Sequence, residues 1–332
     1  MTELKIGVIG LGYTGRLHLA AYGRVAGARV AAVADTDPGR AEGLPYPYFR
    51  DYAEMLESGL DAVSICLPTW LHCEAALRAL ESGKHVLLEK PVAANTQEAR
   101  RMLAAARAAG RTIYVGMTHR FYPEMREARR RVEDGDIGRI VLCNDSILEH
   151  FGFLQLPDWY LDKRRAGGGA VLTSGIHLVD RLRWFTGDEI TEVGGMAGNP
   201  FFGGSIEDAA QMFLRFRSGI SGQVSFALFR DPHPLVCDLQ LIGTRGSLTV
   251  HTWKGYEIHT AGGSTERVFY STESHAQKVL IGMTGEVEEF CRAIREGREP
   301  WPSAGESAQA LEVIAAFYRA VESGKMEAVQ AV

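Results

Sequence analysis

Six residues near the start of the chain restrict its fold more than anything else in the sequence. Gly10-Leu-Gly-Tyr-Thr-Gly15 closes an apolar run, Leu4–Ile9, and opens a segment with helical character, Thr14–Arg24. In a Gly-x-Gly-x-x-Gly placed this way, the first glycine permits a tight strand-to-helix turn. The second lets the backbone approach a pyrophosphate, and the third lets helix and strand pack closely. The pyrophosphate rests on the positive N-terminal end of the helix. With 37 glycines in the chain, the motif alone is weak. Its context carries it, because a second apolar run, Arg29–Ala34, ends at Asp35, about 20 residues further on, where such a fold places an acceptor for ribose hydroxyls. A glycine-rich turn beside a surface aspartate is the alternative that this context outweighs. The Asp35 charge opposes a 2′-phosphate, so NAD is expected in preference to NADP, with Thr36 and Arg40 able to soften the choice.

The first 120 or so residues alternate strand and helix. Strands are expected at Leu4–Ile9, Arg29–Ala34, Asp61–Leu67, His85–Leu88 and Thr112–Gly116, with helices at Thr14–Arg24, Thr69–Ser82 and Asn95–Ala109. Short, continuous apolar strands between helices read as a parallel sheet covered on both faces. Asn95 followed by Glu98 reads as a capping pair, and Gly83 and Gly110 as helix stops. The rhythm then changes. A helix at Pro123–Asp134 leads to a long strand, Arg139–Glu149, an irregular stretch over Phe151–Arg165, a glycine run and a helix at Ile176–Phe185. From Glu192 to Tyr270 strand follows strand with turn glycines, the pattern of an antiparallel sheet. Helices at Gly282–Arg298 and Ser303–Ser323 close the chain. The expected class is α/β: a dinucleotide-binding Rossmann domain with a doubly wound parallel sheet over 1–122, then an α+β domain with a mainly antiparallel sheet over 123–332. The closing helices are free to pack back on the first domain.

Bulk composition excludes several classes. At 332 residues, with 46% hydrophobic and 23% charged residues, the chain reads as an ordinary globular protein of two domains. Its net charge of −5 is dispersed and no basic face is visible, so nucleic acid is not an expected partner. No apolar run approaches the ~18–20 residues that span a bilayer, so no membrane partner is expected. The five cysteines, Cys66, Cys73, Cys143, Cys237 and Cys291, form no CxxC pair and read as reduced thiols, not as a zinc site or disulfide frame. Met-Thr-Glu-Leu-Lys-Ile runs almost at once into a strand with no basic leader and apolar core, so a cytoplasmic location is expected. No metal is expected.

Two further segments carry chemistry. Ligands of an open parallel sheet bind beyond the carboxyl ends of its strands, which is where Leu67-Pro-Thr-Trp-Leu-His72 and Glu89-Lys90-Pro91 fall. The first is expected to wall the cofactor site, with His72 equally readable as a cap. Pro91 ends its strand and biases Lys90 toward extended backbone, and a cis bond before it is not decidable from sequence. A lysine beside an oxidised nicotinamide has its pKa pushed down by burial and by the positive ring, and so exchanges a hydroxyl proton near neutrality. The bland alternative is an exposed Glu–Lys pair. In the second half, Gly167-Gly-Gly169 permits close approach of a ligand or another chain segment, and His177 and Asp180 share a helix face. His177 is a candidate acid/base or hydroxyl ligand, and Asp180 is as suited to holding the helix.

On these residues, together with Arg120-Phe-Tyr-Pro123 and Leu241-Ile-Gly-Thr-Arg-Gly-Ser-Leu248, the chain resembles the glucose-fructose oxidoreductase/inositol dehydrogenase/MocA (Gfo/Idh/MocA) family of NAD(P)-dependent oxidoreductases over nearly its whole length. The resemblance implies a large open C-terminal sheet whose outer face joins a homodimer or homotetramer. It implies hydride transfer to or from a carbinol or carbonyl of sugars, cyclitols and related polyols, with Lys90 as the catalytic residue and His177 as its partner. One departure stands out: many polyol dehydrogenases of the family have an aspartate four residues before that histidine, and here the position is Thr173. A hydroxyl carries no charge near neutrality, so Lys90 would carry more of the proton transfer or another group would help, with Tyr160, Lys163, Arg164, Arg120 and Glu149 as candidates.

The expected catalytic residues are therefore Lys90 and His177. The expected cofactor contacts are Gly10, Gly12, Tyr13, Thr14, Gly15, Asp35, Leu67, Pro68, Thr69, His72, Glu89 and Lys90. The expected substrate contacts are Lys90, Arg120, Tyr160, Arg164, Thr173 and His177. Two other readings stay open: an NAD-dependent glycoside hydrolase of the same fold, and a non-catalytic sensor of dinucleotide or sugar.

Overall fold

The computed structural model describes residues 3–150, 162–203, 205–270 and 274–332. Two compact units divide the chain. One comprises Met1–Thr118 and Ala276–Ala308, the other His119–His275 and Gln309–Val332. The division thus falls at 118/119, against 122/123 expected, and the segment Ala276–Ala308 belongs with the first unit.

The first unit contains strands β1 (Leu4–Ile9), β2 (Ala28–Ala34), β3 (Tyr48–Phe49), β4 (Ala62–Ile65), β5 (His85–Leu88) and β6 (Ile113–Val115). Helices α1 (Tyr13–Tyr22), α2 (Tyr52–Leu56), α3 (His72–Glu81) and α4 (Thr96–Ala109) connect them. All pairings are parallel, in the order β3-β2-β1-β4-β5-β6. This is the Rossmann order, and the chain reverses direction across the sheet between β1 and β4. Ile6, Val8, Val33, Val63, Ile65, Val86 and Leu87 are wholly buried, as strands covered on both faces must be. The expected cap of α4 is present, with Asn95 Oδ1 accepting from the Glu98 N–H at 3.0 Å. The two-residue β3 and five-residue α2 had no periodic signal to announce them.

The second unit is built on a nine-stranded sheet of β7 (Ile140–His150), β8 (Ile190–Gly198), β9 (Ala209–Phe216), β10 (Ser221–Phe229), β11 (Val236–Gly243), β12 (Gly246–His251), β13 (Gly255–Thr260), β14 (Thr265–Phe269) and β15 (Glu327–Ala328). The order is β14-β13-β12-β11-β7-β10-β9-β8-β15. Every pairing is antiparallel except β7 with β10, where Leu142 lies opposite Ser221 and His150 opposite Phe229. Along β9, Ala210, Met212, Leu214 and Phe216 face inward and Gln211, Phe213 and Arg215 outward, the period-two pattern of a sheet with one covered face. Helices α5 (Pro123–Glu133), α6 (Lys163–Ala166) and α7 (Ile176–Thr186) belong to this unit. The chain closes with α8 (His275–Glu296) and α9 (Ala304–Ser323). Among the described residues no helix is long and apolar enough to cross a membrane.

α7 is buried on nearly every side, charged residues included. Arg181 directs Nε to Asp145 Oδ2 on β7 at 2.9 Å, a second nitrogen to Asp145 Oδ1, and Nη1 to Thr252 Oγ1 at 2.7 Å. Both Arg181 and Asp145 are sealed from solvent. Removing one partner of such a pair leaves an uncompensated buried charge, whereas replacing both with apolar groups is far milder. Arg181→Leu is expected to destabilise by about 3–5 kcal/mol in urea unfolding, and adding Asp145→Leu to restore most of that loss.

Candidate active site

The first unit gathers its candidate residues at the carboxyl ends of β1, β2, β4 and β5. Gly10 has φ +89°, and a Cβ on Gly15 would sit 1.9 Å from the Gly10 carbonyl oxygen. These two glycines are therefore required by the turn and by the contact of α1 with β1. Gly12 differs, because a Cβ there would meet nothing closer than Arg40 Nη1 at 4.0 Å. The α1 N-terminus has no side-chain cap and no acidic residue in its first turn, so no side chain of the helix competes for its leading N–H groups. Open space before uncapped N–H donors fits a pyrophosphate. Tyr13 is exposed and Thr14 half-buried on the same first turn.

Asp35 is buried at the end of β2. Its Oδ2 accepts from the Leu11 N–H at 2.8 Å and its Oδ1 from the Asp37 N–H at 2.9 Å, fixing the carboxylate to the glycine loop. Arg40 Nη1 lies 3.5 Å from Asp35 Oδ2, on a half-exposed side chain.

Leu67, Pro68 and Thr69 follow β4, with Leu67 and Pro68 half-buried and Thr69 buried at the start of a 3₁₀ turn. His72 opens α3 with both ring nitrogens on backbone carbonyls, Nδ1 at 3.0 Å from Pro91 O and Nε2 at 2.8 Å from Leu67 O. Burial holds its pKa below the ordinary histidine value, with the two carbonyls pulling the other way. The ring thus braces the loop after β4 against the segment after β5. Beyond β5, Glu89 is buried while Lys90 is half-buried, and the Lys90–Pro91 peptide is cis. Glu89 Oε1 accepts from His18 Nε2 at 2.9 Å and Oε2 from the Lys90 N–H at 3.2 Å. Glu89 therefore faces into its own unit, and an exposed Glu–Lys pair does not describe it.

In the second unit the glycine run serves the chain's own packing. A Cβ on Gly168 would lie 2.2 Å from the Tyr318 hydroxyl, and one on Gly169 would lie 2.4 Å from Glu207 O. The Glu207 carboxylate accepts from the N–H groups of Gly169 (3.0 Å) and Val171 (3.1 Å) and from the Tyr318 hydroxyl (2.8 Å). It anchors a π-helical turn, Val171–Gly175, that runs into α7. Such turns recur at functional sites. Thr173 lies within it, buried, and its hydroxyl donates to Gly169 O at 3.2 Å.

His177, in the first turn of α7, is buried and stacked on His119, with ring centroids 4.0 Å apart and planes 4° from parallel. His119 meets Trp253 edge-on at 5.7 Å, and Trp253 also meets Tyr122 and His275. Trp253 has φ +65°, a conformation that a bulky residue rarely adopts, and its backbone N–H donates to Glu124 Oε1 at 2.6 Å. Neither His119 nor Trp253 was singled out from sequence. The first sits one residue before the Arg120-Phe-Tyr-Pro123 element, and the second belongs to no motif.

Arg120, expected to contact substrate, is instead fully buried. It gives Nε and Nη2 to Asp180 at 2.8 and 2.7 Å, with its guanidinium 5.5 Å from the Trp184 ring centroid. A bidentate pair in this setting fixes α7 against the segment before α5. Of the remaining candidates, Tyr160 lies outside the described residues, as does the Arg164 side chain. Lys163 is exposed, 5.4 Å from the Tyr318 ring centroid, and Glu149 is half-buried near the end of β7. Glu207→Ala leaves buried N–H groups without acceptors, each worth about 1–3 kcal/mol. Its thermal unfolding is expected well below that of wild type, with Glu207→Gln intermediate.

Comparison with known proteins agrees with this geometry. The family model described as an oxidoreductase family with an NAD-binding Rossmann fold matches residues 4–117, and the GFO/IDH/MocA C-terminal domain matches residues 125–249. The chain is 29% identical over 317 residues to scyllo-inositol 2-dehydrogenase (NAD(+)) of Bacillus subtilis, covering 90% of this chain and 88% of that protein. It is 27% identical to the rhizopine catabolism protein MocA of Rhizobium meliloti, covering 94% and 93%. Among solved structures, an oxidoreductase domain protein from Kribbella flavida superposes with a TM-score of 0.91 at 27% identity, covering 99% of this chain and all of that one. The chain belongs to the Gfo/Idh/MocA oxidoreductase family, with its NAD-binding Rossmann domain and its characteristic C-terminal domain.

Proposed function

We propose that this protein is an NAD-preferring dehydrogenase or reductase. It moves a hydride between nicotinamide and a secondary carbinol or carbonyl carbon of a sugar, cyclitol or related polyol. The observation that carries this reading is the alignment of Gly12, Asp35 and Lys90 at the carboxyl ends of β1, β2 and β5 of one parallel sheet. The first offers backbone to a pyrophosphate, the second an acceptor for ribose hydroxyls, and the third a primary amine to the reacting hydroxyl. Family membership and relatives named as inositol dehydrogenases support it.

A bound nicotinamide supplies the hydride acceptor or donor. The chain's own task is the proton. Lys90, as the neutral amine, takes the hydroxyl proton as the C–H bond breaks and returns it in the reverse direction. His177 is the second group assigned to a substrate hydroxyl, its ring plane held by the His119 stack. Thr173 donates to the backbone and supplies no charge of its own. The aromatic rings of Tyr122, His119 and Trp253 suit the C–H faces of a polyol ring. The outer face of the nine-stranded sheet carries exposed Phe213 and Met196, which supports a homodimer or homotetramer formed through that face. A cytoplasmic location is part of the same reading.

The test is a panel of sugars, polyols and their keto forms, followed by absorbance at 340 nm with NAD and with NADP. Lys90→Met is expected to lower turnover by about 10²-fold or more while NADH affinity, read by fluorescence, stays within a few-fold. Full activity in that variant overturns the assignment. Free sugar released without net NADH identifies the hydrolase reading. Asp35→Ala is expected to lower the NAD-to-NADP ratio of kcat/KM by about 10-fold or more, since it removes the charge that opposes a 2′-phosphate.

A further inference from the structure

Beneath Lys90 the first unit encloses three ionisable side chains from different parts of the chain. His18 comes from α1, Glu89 follows β5, and Glu286 comes from α8. All three are buried, and one donor atom from each lies within 4.8 Å of the other two. Their pairing is uneven. Glu89 uses both oxygens, one on His18 Nε2 and one on the Lys90 N–H. Glu286 receives a hydrogen bond from the Thr118 hydroxyl at Oε2, 2.9 Å, while its Oε1 is sealed from water and has no partner. A Cβ on Gly116 would lie 2.8 Å from that oxygen, so the glycine is what admits the carboxyl group.

Two carboxylates this close in a dry interior do not both ionise, because each is penalised by burial and by the other's charge. The surroundings decide which keeps the proton. Burial alone would raise Glu89, but the His18 hydrogen bond, followed by the charges of His18 and Lys90, brings it below the usual carboxylate range. Glu286 is driven far above that range by burial first and by Glu89 second, with the Thr118 bond and the Lys90 charge too weak to offset them. The other titratable groups that act on the cluster are Tyr22, Cys66 and His72. Burial raises the first two and lowers the third, which favours their neutral forms.

We propose that Glu286 is a neutral carboxylic acid at physiological pH, so that of the two carboxyl groups buried together beneath Lys90 only Glu89 is ionised. Glu286 is thus a positioning residue. Its proton limits the anionic field at the Lys90 amine to that of Glu89 alone, so the amine is released for proton transfer at a lower pH than two carboxylates would allow. This rests on the reading of Lys90 as the proton-transfer residue, but the state of Glu286 is measurable without it.

Glu286→Gln is isosteric with the neutral acid and keeps an oxygen for Thr118. In infrared spectra at pH 7, wild type and Lys90→Met are expected to share the carbonyl band of a protonated carboxylic acid, which Glu286→Gln lacks. The stability test has a definite sign. The unfolded chain releases this proton near the ordinary glutamate value of 4.5, whereas the folded chain retains it. Wild type therefore loses stability as pH rises above that value, and the variant, which has no proton to retain, is spared. Thermal midpoints are expected to be similar at pH 5 and to favour Glu286→Gln by about 3 °C or more at pH 8.

In the pH profile of kcat/KM, Glu286→Gln keeps the lysine limb in place. Glu89→Gln moves it toward acid, because the ammonium loses its counter-charge. An acid shift in Glu286→Gln, or a missing infrared band, shows Glu286 to be ionised and overturns the proposal. A stoichiometric divalent cation that survives dialysis and leaves with a chelator also overturns it, making the three side chains metal ligands. Full activity in Lys90→Met, with the band and the thermal series as expected, removes only the link to catalysis.

Discussion

The second unit depends on two neighbouring residues of opposite charge at the middle of α7. Asp180 and Arg181 point in different directions from the helix, and each meets a buried partner: Asp180 takes the Arg120 guanidinium, and Arg181 takes the Asp145 carboxylate on β7. A helix held by apolar packing alone can slide or rotate by small amounts at little cost. Two bidentate ion pairs out of water admit one rotation and one register, since any other leaves a charge unpaired in a low-dielectric interior. Arg181 also bonds Thr252, the residue before Trp253, so the same contact sets the turn that bears Trp253. The His177 ring, three residues before Asp180 on α7, inherits its position from these pairs.

In the first unit the governing constraint is backbone proximity instead. Gly15 lies so close to the Gly10 carbonyl that no side chain fits, and Asp35 ties down the intervening loop through the Leu11 N–H. The loop is thereby shaped before any ligand arrives, with its one open glycine at Gly12. Preorganisation of this kind lowers the entropy lost on binding. Arg40 lies next to Asp35, its guanidinium half-exposed and 3.5 Å from the carboxylate.

Apart from the short β3 and α2, the strands and helices of the first unit were legible because each has its own apolar pattern and punctuation. Val86–Leu88 is apolar throughout and bounded by Gly83 and Pro91, and Asn95 caps the helix that follows. The site residues divide differently. Gly12, Asp35 and Lys90 stand in motifs with fixed spacing from strand ends, so their place at one sheet edge follows from local order. The burial of Arg120 was not legible, because its partner Asp180 lies 60 residues away. Gly169 was readable as a point of close approach, but not as the seat of Glu207, 38 residues on. His119 and Trp253 had no signal because ring stacking leaves no trace in spacing.

The fold class, the dinucleotide loop and the lysine at the end of β5 thus follow from local order along the chain. Each depends on short-range chemistry: apolar periodicity, glycine sterics, and a proline that ends a strand. Which ionisable groups are buried together is set by the folded chain. Arg120 with Asp180, Arg181 with Asp145, and Glu286 beside Glu89 are separated by 60, 36 and 197 positions in the chain. The energy of a buried charge depends on partners a few ångströms away, whatever their distance along the sequence. That dependence is why the helix-holding ion pairs and the acid beneath Lys90 came into view only once the chain was folded.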